Sequence, residues 1–152
     1  EPSMIEYAAF FGSIQIFQFL RLSNVELTPS LWLYTIHGKN AELIHLLEEN
    51  NVLPDDESYE KCFEESIKCH HNEIAIYIKD NLMSIQNSNQ NSNNDAFESI
   101  FKYYNYSHFP NNISNKLYFY YLCCFKYSTL VNLLLKQKMN DIELELISTS
   151  NF

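Results

Sequence analysis

Two cysteines and two histidines lie close together in one stretch of the chain: Cys62, Cys69, His70 and His71. These residue types ligate zinc, which usually takes four converging ligands from cysteines or histidines a few residues apart. Cys62 and Cys69 are seven residues apart in a segment with helical periodicity, and a helix of that length separates the two sulfurs by about 10 Å. One ion with Zn–S bonds of about 2.3 Å cannot bridge that distance. The spacing therefore predicts no metal site, and we expect both cysteines to be small core residues.

The other two cysteines, Cys123 and Cys124, are adjacent. Adjacent cysteines rarely pair, so we expect at least one of them in the core. A catalytic cysteine needs a nearby histidine and an electropositive pocket. The nearest histidine in sequence is His108, and no pattern places it beside the thiols. The four cysteines are not spaced like a disulfide framework, which predicts a reducing intracellular, cytoplasmic location.

Acidic residues cluster at Glu48–Glu49, Asp55–Glu57 and Glu64–Glu65. A hydrolase would use two such carboxylates as an acid–base pair in unequal environments. Their positions at predicted helix ends and loops are typical of solvated surface. The chain also lacks a glycine-rich phosphate loop, a nucleophile elbow and an H-E-x-x-H motif. We therefore predict that the chain is not an enzyme and uses no cofactor.

Length and composition predict one globular domain of 152 residues, with 46% hydrophobic residues. Only two glycines occur, Gly12 and Gly38, which disfavours an all-β fold rich in tight turns. The net charge of −9 disfavours nucleic acid and anionic membrane as partners. The longest apolar run, Leu117–Phe125, is far shorter than the roughly 20 residues of a membrane span. The predicted partner is a protein of basic or mixed charge, and no small-molecule substrate is inferred.

One pattern recurs along the chain. When the copies are aligned on Gly12, Lys39, His70 and Lys126, the residue four positions later is always apolar: Ile16, Leu43, Ile74 and Leu130. Further apolar residues follow at helical spacing. Before each of these four anchors lies another helix-like segment of about ten residues, and Ser3, Thr28 and Ser58 precede three of them as start signals. The last two anchors are 56 residues apart, which leaves room for a weaker copy between them.

A helix pair of roughly 30 residues cannot bury its own apolar face, but stacked pairs can. We therefore predict an all-α solenoid of about five helix pairs with irregular inter-repeat loops, in a single domain over residues 1–152 that is a fragment of a longer array. The predicted repeats are residues 3–27, 28–57, 58–94, 95–113 and 114–146, the fourth being degenerate. The Asn/Ser-rich stretch Ser84–Ala96 is predicted to be an inserted mobile loop, with a binding finger as the alternative.

Three stretches resemble the ankyrin repeat, whose second helix reads roughly G-H-x-E-I-V-x-L-L-L after a first helix opening T-P-L. They are "TPSLWLYTIHGKNAELIHLL" from Thr28, "GSIQIFQFL" from Gly12 and "HHNEIAIYI" from His70. Residues 3–147 are similar to a divergent ankyrin-type domain of unassigned function found at the head of large ankyrin proteins in some single-celled eukaryotes. The resemblance implies that the His71 ring bonds to the backbone of the neighbouring loop.

The resemblance also implies a role in protein–protein interaction. In an ankyrin-like stack the concave face is built from the first helices and the loops between units, and aromatic residues are the usual anchors of an interface. The binding residues predicted on this acidic and aromatic face are Glu6, Trp32, Tyr59, Glu60, Tyr118, Asn50, Asn51, Asp55 and Asp56. Burial of Trp32 within the apolar run "LWLYTI" is an equal alternative for that residue.

A second hypothesis is that the chain is a structural N-terminal cap or spacer for a longer ankyrin array, with no binding of its own. The dense apolar run "STLVNLLL" from Ser128 favours it, because a terminal repeat should have a polar outer face. An exposed apolar face on the second helix of the last unit would support the cap.

Overall fold

The computed structural model describes residues 1–55, 57–83, 93–109 and 116–149. Within these residues all regular structure is helical, and no strand occurs. The α-helices are α1 Met4–Phe10, α2 Ile14–Leu22, α3 Leu31–Gly38, α4 Ala41–Glu49, α5 Glu60–Lys68, α6 Asn72–Tyr77, α7 Asn93–Lys102, α8 Lys116–Cys124 and α9 Ser128–Thr149. The predicted all-α class is confirmed for the described part of the chain. Residues 84–92, most of the Asn/Ser-rich stretch, lie outside it.

The chain divides into two compact units, Glu1–His108 and Phe109–Phe152, where the sequence predicts one domain. In the first unit, α1 packs against α2, α3 against α4 and α5 against α6. The first helix of each pair also packs against the first helix of the next, so that α1, α3, α5 and α7 follow one another. This succession of helix pairs is the expected arrangement; its ankyrin-type geometry stays a prediction.

Two elements in the first unit depart from regular α-helix. A π-helical segment, Ile78–Met83, directly continues α6, and a 3₁₀ turn, Tyr106–His108, follows α7. The short turn occupies the place of a second helix in the weak fourth copy, where the sequence predicts a stunted one.

The second unit contains α8 packed against α9. Tyr121 and Leu122 are the buried residues of α8. The ring of Phe109 lies 5.6 Å from the ring of Tyr127, between centroids. The two buried residues of α8 come from the longest apolar run of the sequence, whereas Phe109 and Tyr127 lie outside that run.

The same backbone turn ends the first helix of every copy. Its central residue has a positive φ between 50° and 62° and is Gly12, Lys39, His70, Tyr104 or Lys126. At four of the five turns the next N–H reaches back to a carbonyl five residues earlier, from Ser13 to Ala8, His71 to Ser66, Asn105 to Ile100 and Tyr127 to Leu122, at 2.8–3.0 Å. These bonds are those of a Schellman motif, which satisfies the last carbonyls of a helix. The four anchors found by sequence alignment are all left-handed residues.

Both glycines of the chain lie at one close approach between two turns. A Cβ added to Gly38 would lie 2.1 Å from the carbonyl oxygen of Ala9, and a Cβ added to Gly12 would lie 2.8 Å from the carbonyl oxygen of Gly38. Real Cβ atoms do not come that close to backbone. The ends of α1 and α3 therefore contact each other backbone to backbone, and a side chain at residue 38 would push them apart.

A side chain directly after the left-handed residue ties each turn to the preceding one. Asn40 Nδ2 donates to the carbonyl of Gly12 at 3.1 Å, and Asn105 Nδ2 donates to the carbonyl of Ile67 at 3.0 Å. The ring of His71 makes a hydrogen bond to the backbone of His37 in the last turn of α3. Three successive junctions are thus linked in the same way.

The close approach predicts that Gly38→Ala destabilises the protein. In an open helix end this change would stabilise by up to about 1 kcal/mol, whereas here the added Cβ meets backbone and we expect a loss of about 1–3 kcal/mol. Urea unfolding followed by circular dichroism measures the difference. Glu49→Ala, at the exposed last residue of α4, is the control and should change stability by less than about 0.5 kcal/mol. An increase in stability for Gly38→Ala would contradict the backbone contact.

The link through His71 predicts a pH dependence of stability. Burial lowers the pKa of His71 below its usual 6.5, and this outweighs the bond to the His37 backbone, which raises it. The unfolded chain therefore binds more protons than the folded one as the pH falls through and below 6.5, and the free energy of unfolding decreases there.

Urea unfolding between about pH 7.5 and 5 measures this slope. His71→Gln keeps a hydrogen-bond donor but does not titrate, so the slope should be shallower in this variant. It should not vanish, because burial also lowers the pKa of His108. An unchanged slope would show that His71 does not link protonation to folding.

Candidate functional site

The two aromatic anchors predicted for a concave face are buried. Trp32 is 0% exposed and Tyr59 is 7% exposed, and their rings meet edge to face at 5.1 Å. Trp32 Nε1 also donates to the carbonyl of Val52 at 2.7 Å. The prediction that Tyr59 presents an aromatic surface is therefore wrong, and for Trp32 the structure supports the alternative of burial. α3 packs against α1, α4 and α5, and this leaves the tryptophan inside the stack.

Three of the predicted polar residues lie at helix ends. Glu6 belongs to a capping box with Ser3 at the start of α1, and a carboxylate oxygen accepts a bond from Ser30 Oγ at 2.6 Å. The hydrogen bonds from Ser30 and Ser3 lower the pKa of Glu6. Asn50 Nδ2 donates to the carbonyl of Leu46 at 2.6 Å. Asn51 has a φ of 53° just beyond the end of α4.

Of the four remaining predicted residues, two are exposed on the first unit, one lies in the second unit and one lies outside the described residues. Glu60 and Asp55 are exposed on the first unit. Tyr118 is half-buried on α8 in the second unit. Asp56 lies outside the described residues. Because Trp32 and Tyr59 are buried and Tyr118 belongs to the second unit, what remains of the predicted surface on the first unit is a set of separate polar positions.

Two of the three predictions about the cysteines differ from the structure. Cys62 is buried as expected, but Cys69 is only half-buried, and Cys123 and Cys124 are both exposed. The expectation that one of the adjacent pair lies in the core is wrong, because α8 buries Tyr121 and Leu122 instead.

Cys69 belongs to a cluster with His37 and Glu65. Its Sγ lies 3.5 Å from His37 Nδ1 and 3.8 Å from Glu65 Oε1. His37 Nε2 lies 2.7 Å from Glu65 Oε1. Sequence reasoning missed this set, because His37 and Cys69 are 32 residues apart. The repeat alignment contains the signal: both residues stand one or two positions before an anchor, Lys39 and His70, so stacked helix ends bring them together.

The cluster has the order of a nucleophile, a base and an orienting carboxylate. A catalytic cysteine, however, needs a lowered thiol pKa. Burial raises the pKa of Cys69, and the negative charge of Glu65 raises it further. The thiol is therefore protonated at neutral pH, and the cluster is a poor candidate for nucleophilic catalysis.

Exposed apolar side chains concentrate on the first helix pair. Of the fifteen large hydrophobic residues exposed in the described part of the chain, seven lie before residue 23. We call these seven the N-terminal apolar surface: Met4, Tyr7, Phe10, Phe11, Ile16, Phe19 and Leu22. Large exposed apolar patches often mark binding faces, so this concentration of exposed apolar side chains is a candidate for one.

Equivalent positions of the repeat show why this surface is apolar. Ile16 is 52% exposed, whereas its counterparts Leu43 and Ile74 are 0% and 8% exposed. The same apolar position is therefore covered in the second and third helix pairs and uncovered in the first. Sequence reasoning identified Ile16 only as an apolar position of the repeat, because the pattern shows which positions are apolar but not which of them are covered by a neighbouring helix.

A pocket of about 180 Å³ lies between α4 and α6, lined by Lys39, Ala41, Ile44, His45, Glu73, Ile74 and Tyr77. Pockets that bind drug-sized ligands usually measure about 300–1,000 Å³. This pocket is below that range, and it does not include the His37 cluster.

Comparisons with known proteins found no match among family models, curated proteins or solved structures. The ankyrin-type resemblance therefore stays a prediction. In the described part of the chain, no helix combines the length and the apolar character needed to cross a bilayer.

The burial of Trp32 predicts a structural role for this residue. Trp32→Ala removes a fully buried ring and should lower the free energy of unfolding by about 3–5 kcal/mol, as measured by urea unfolding. Glu60→Ala, at an exposed position on α5, should change it by less than about 0.5 kcal/mol. Trp32 is the only tryptophan, so its fluorescence should resist quenching by acrylamide. Ready quenching in the folded protein would place the ring at the surface.

Proposed function

We propose that the chain is a non-enzymatic protein–protein interaction module that binds its partner through the N-terminal apolar surface. The main observation in support is that Ile16 is exposed, while Leu43 and Ile74, at the same position of the repeat, are buried. Phe19 and Leu22 are 68% and 83% exposed along the same helix. This proposal replaces the acidic and aromatic concave face, whose aromatic anchors are buried.

The partner that fits this surface is an amphipathic helical segment. In the second and third helix pairs the equivalent apolar positions are covered by neighbouring elements of a helical stack, so a helix laid on α1 and α2 would cover the surface in the same manner. Burial of each large apolar side chain stabilises a complex by about 1.5–3 kcal/mol before the entropic cost of association. The chain carries a net charge of −9, which favours a segment of basic or mixed charge.

The alternative function is a structural cap or spacer in a longer array. The exposure of Leu133 and Leu135 on α9 supports it, because these residues lie on the second helix of the last predicted repeat. Under this alternative, helices of the same polypeptide cover the apolar surfaces, and no separate partner binds.

The test compares Phe19→Ser/Leu22→Ser with the unchanged chain. Both side chains are largely exposed, so helicity should be preserved. Proteins captured by the unchanged chain are identified by mass spectrometry, and their helical segments are synthesised and titrated by fluorescence anisotropy. The double variant should bind such a segment at least about tenfold more weakly, since about 1.4 kcal/mol suffices for that change.

Leu133→Ser/Leu135→Ser is the matched control, because it removes two exposed leucines from the second unit. It should leave the affinity unchanged. If no segment binds and the first variant instead lowers the melting temperature of a longer natural chain, the cap is correct. Equal binding by both variants would exclude the N-terminal apolar surface as the site.

A further inference from the structure

We infer that His37, Glu65 and Cys69 form a binding site for one divalent transition-metal ion, with zinc as the best fit. The three ligand atoms, one from each residue, lie within 4.8 Å of one another. They supply nitrogen, oxygen and sulfur, the donor set that zinc accepts in proteins.

The separations suit a tetrahedral ion. With Zn–S bonds of about 2.3 Å and Zn–N bonds of about 2.0–2.1 Å, neighbouring sulfur and nitrogen ligands lie about 3.5 Å apart. The distance from Cys69 Sγ to His37 Nδ1 is 3.5 Å, and the distance to Glu65 Oε1 is 3.8 Å. A single ion binds only one nitrogen of the ring, so the 2.7 Å contact between His37 Nε2 and Glu65 Oε1 must open for Nδ1 and the carboxylate to meet the same ion.

Helix packing places the three residues at the negative ends of two helices. His37 stands in the last turn of α3, Glu65 stands near the end of α5, and Cys69 is the residue that caps α5. The unpaired carbonyls of a helix C-terminus carry partial negative charge and favour a cation. α3 packs against α5, so the relative positions of the three side chains are set by the stack.

Lys68 is the competing cation. Its Nζ lies 3.1 Å from both carboxylate oxygens of Glu65. The Lys68 side chain is 47% exposed, so its ammonium group can stay paired with one carboxylate oxygen of Glu65 while the other oxygen binds the metal. Zinc would displace the Cys69 proton to solvent, and the charges of the thiolate and the carboxylate would balance the 2+ charge of the ion.

Three protein ligands leave one position of a tetrahedral ion for water. His37 is about one-third exposed, with a side-chain exposure of 34%, so that position would face solvent. A bound ion would join α3 to α5 and thus the second helix pair to the third. The expected effect is stabilisation that increases with metal concentration.

The experiment uses the chain freed of metal by a chelator. Zinc is titrated against a chromophoric chelator, and cobalt(II) is added separately as a spectroscopic probe. One equivalent should bind, and cobalt should show a thiolate-to-metal charge-transfer band together with the intense visible bands of tetrahedral coordination. Cys69→Ser should abolish the charge-transfer band, and Cys69→Ser and His37→Ala should each weaken zinc binding at least about tenfold.

Two control variants test whether the metal binds at His37, Glu65 and Cys69. His45→Ala removes a histidine from a second histidine–carboxylate pair, in which His45 Nδ1 lies 2.9 Å from Glu48 Oε2. Cys124→Ser removes an exposed thiol of the second unit. Both should retain the affinity and the cobalt spectrum. Absence of zinc binding, binding that survives Cys69→Ser in a folded protein, or loss of the sulfur band in Cys124→Ser would each overturn the proposal.

Discussion

The carbonyl oxygen of Ala9 occupies the place where a Cβ of residue 38 would lie, and much of the first unit depends on this contact. It sets how closely the end of α3 approaches the end of α1. At that separation Asn40 reaches the carbonyl of Gly12, and Leu31 and Trp32 are fully buried. The short distance between the helix pairs therefore requires glycine at both positions, and Gly12 also has a positive φ, which non-glycine residues adopt at the equivalent turns.

The same stacking accounts for both candidate sites. Where helix ends follow one another, side chains from separate repeats meet, as His37 meets Glu65 and Cys69. In the first helix pair, the apolar position that is covered in the next two pairs is uncovered, as at Ile16. The proposed binding surface and the proposed metal site therefore both depend on how the helix pairs stack.

The sequence predicted the parts of the fold that depend on local pattern. The spacing of apolar residues indicated the helices, and Ser3, one of three predicted start signals, caps α1. The anchors Lys39 and His70 each occupy the left-handed position of the same type of turn, although neither residue is a glycine. These features depend on residues within a few positions of each other.

Features that depend on distant neighbours were not predicted. A single repeat does not show whether Trp32 faces solvent or the next helix, because its burial depends on α1 and α5. The exposure of Cys123 and Cys124 depends in the same way on which side of α8 is covered.

The left-handed turns have an evolutionary consequence. Because backbone hydrogen bonds close them, their outward residue can differ from repeat to repeat, and lysine, histidine and tyrosine occupy it at Lys39, His70 and Tyr104. Such a scaffold can persist while sequence identity among its copies, and among its descendants, erodes.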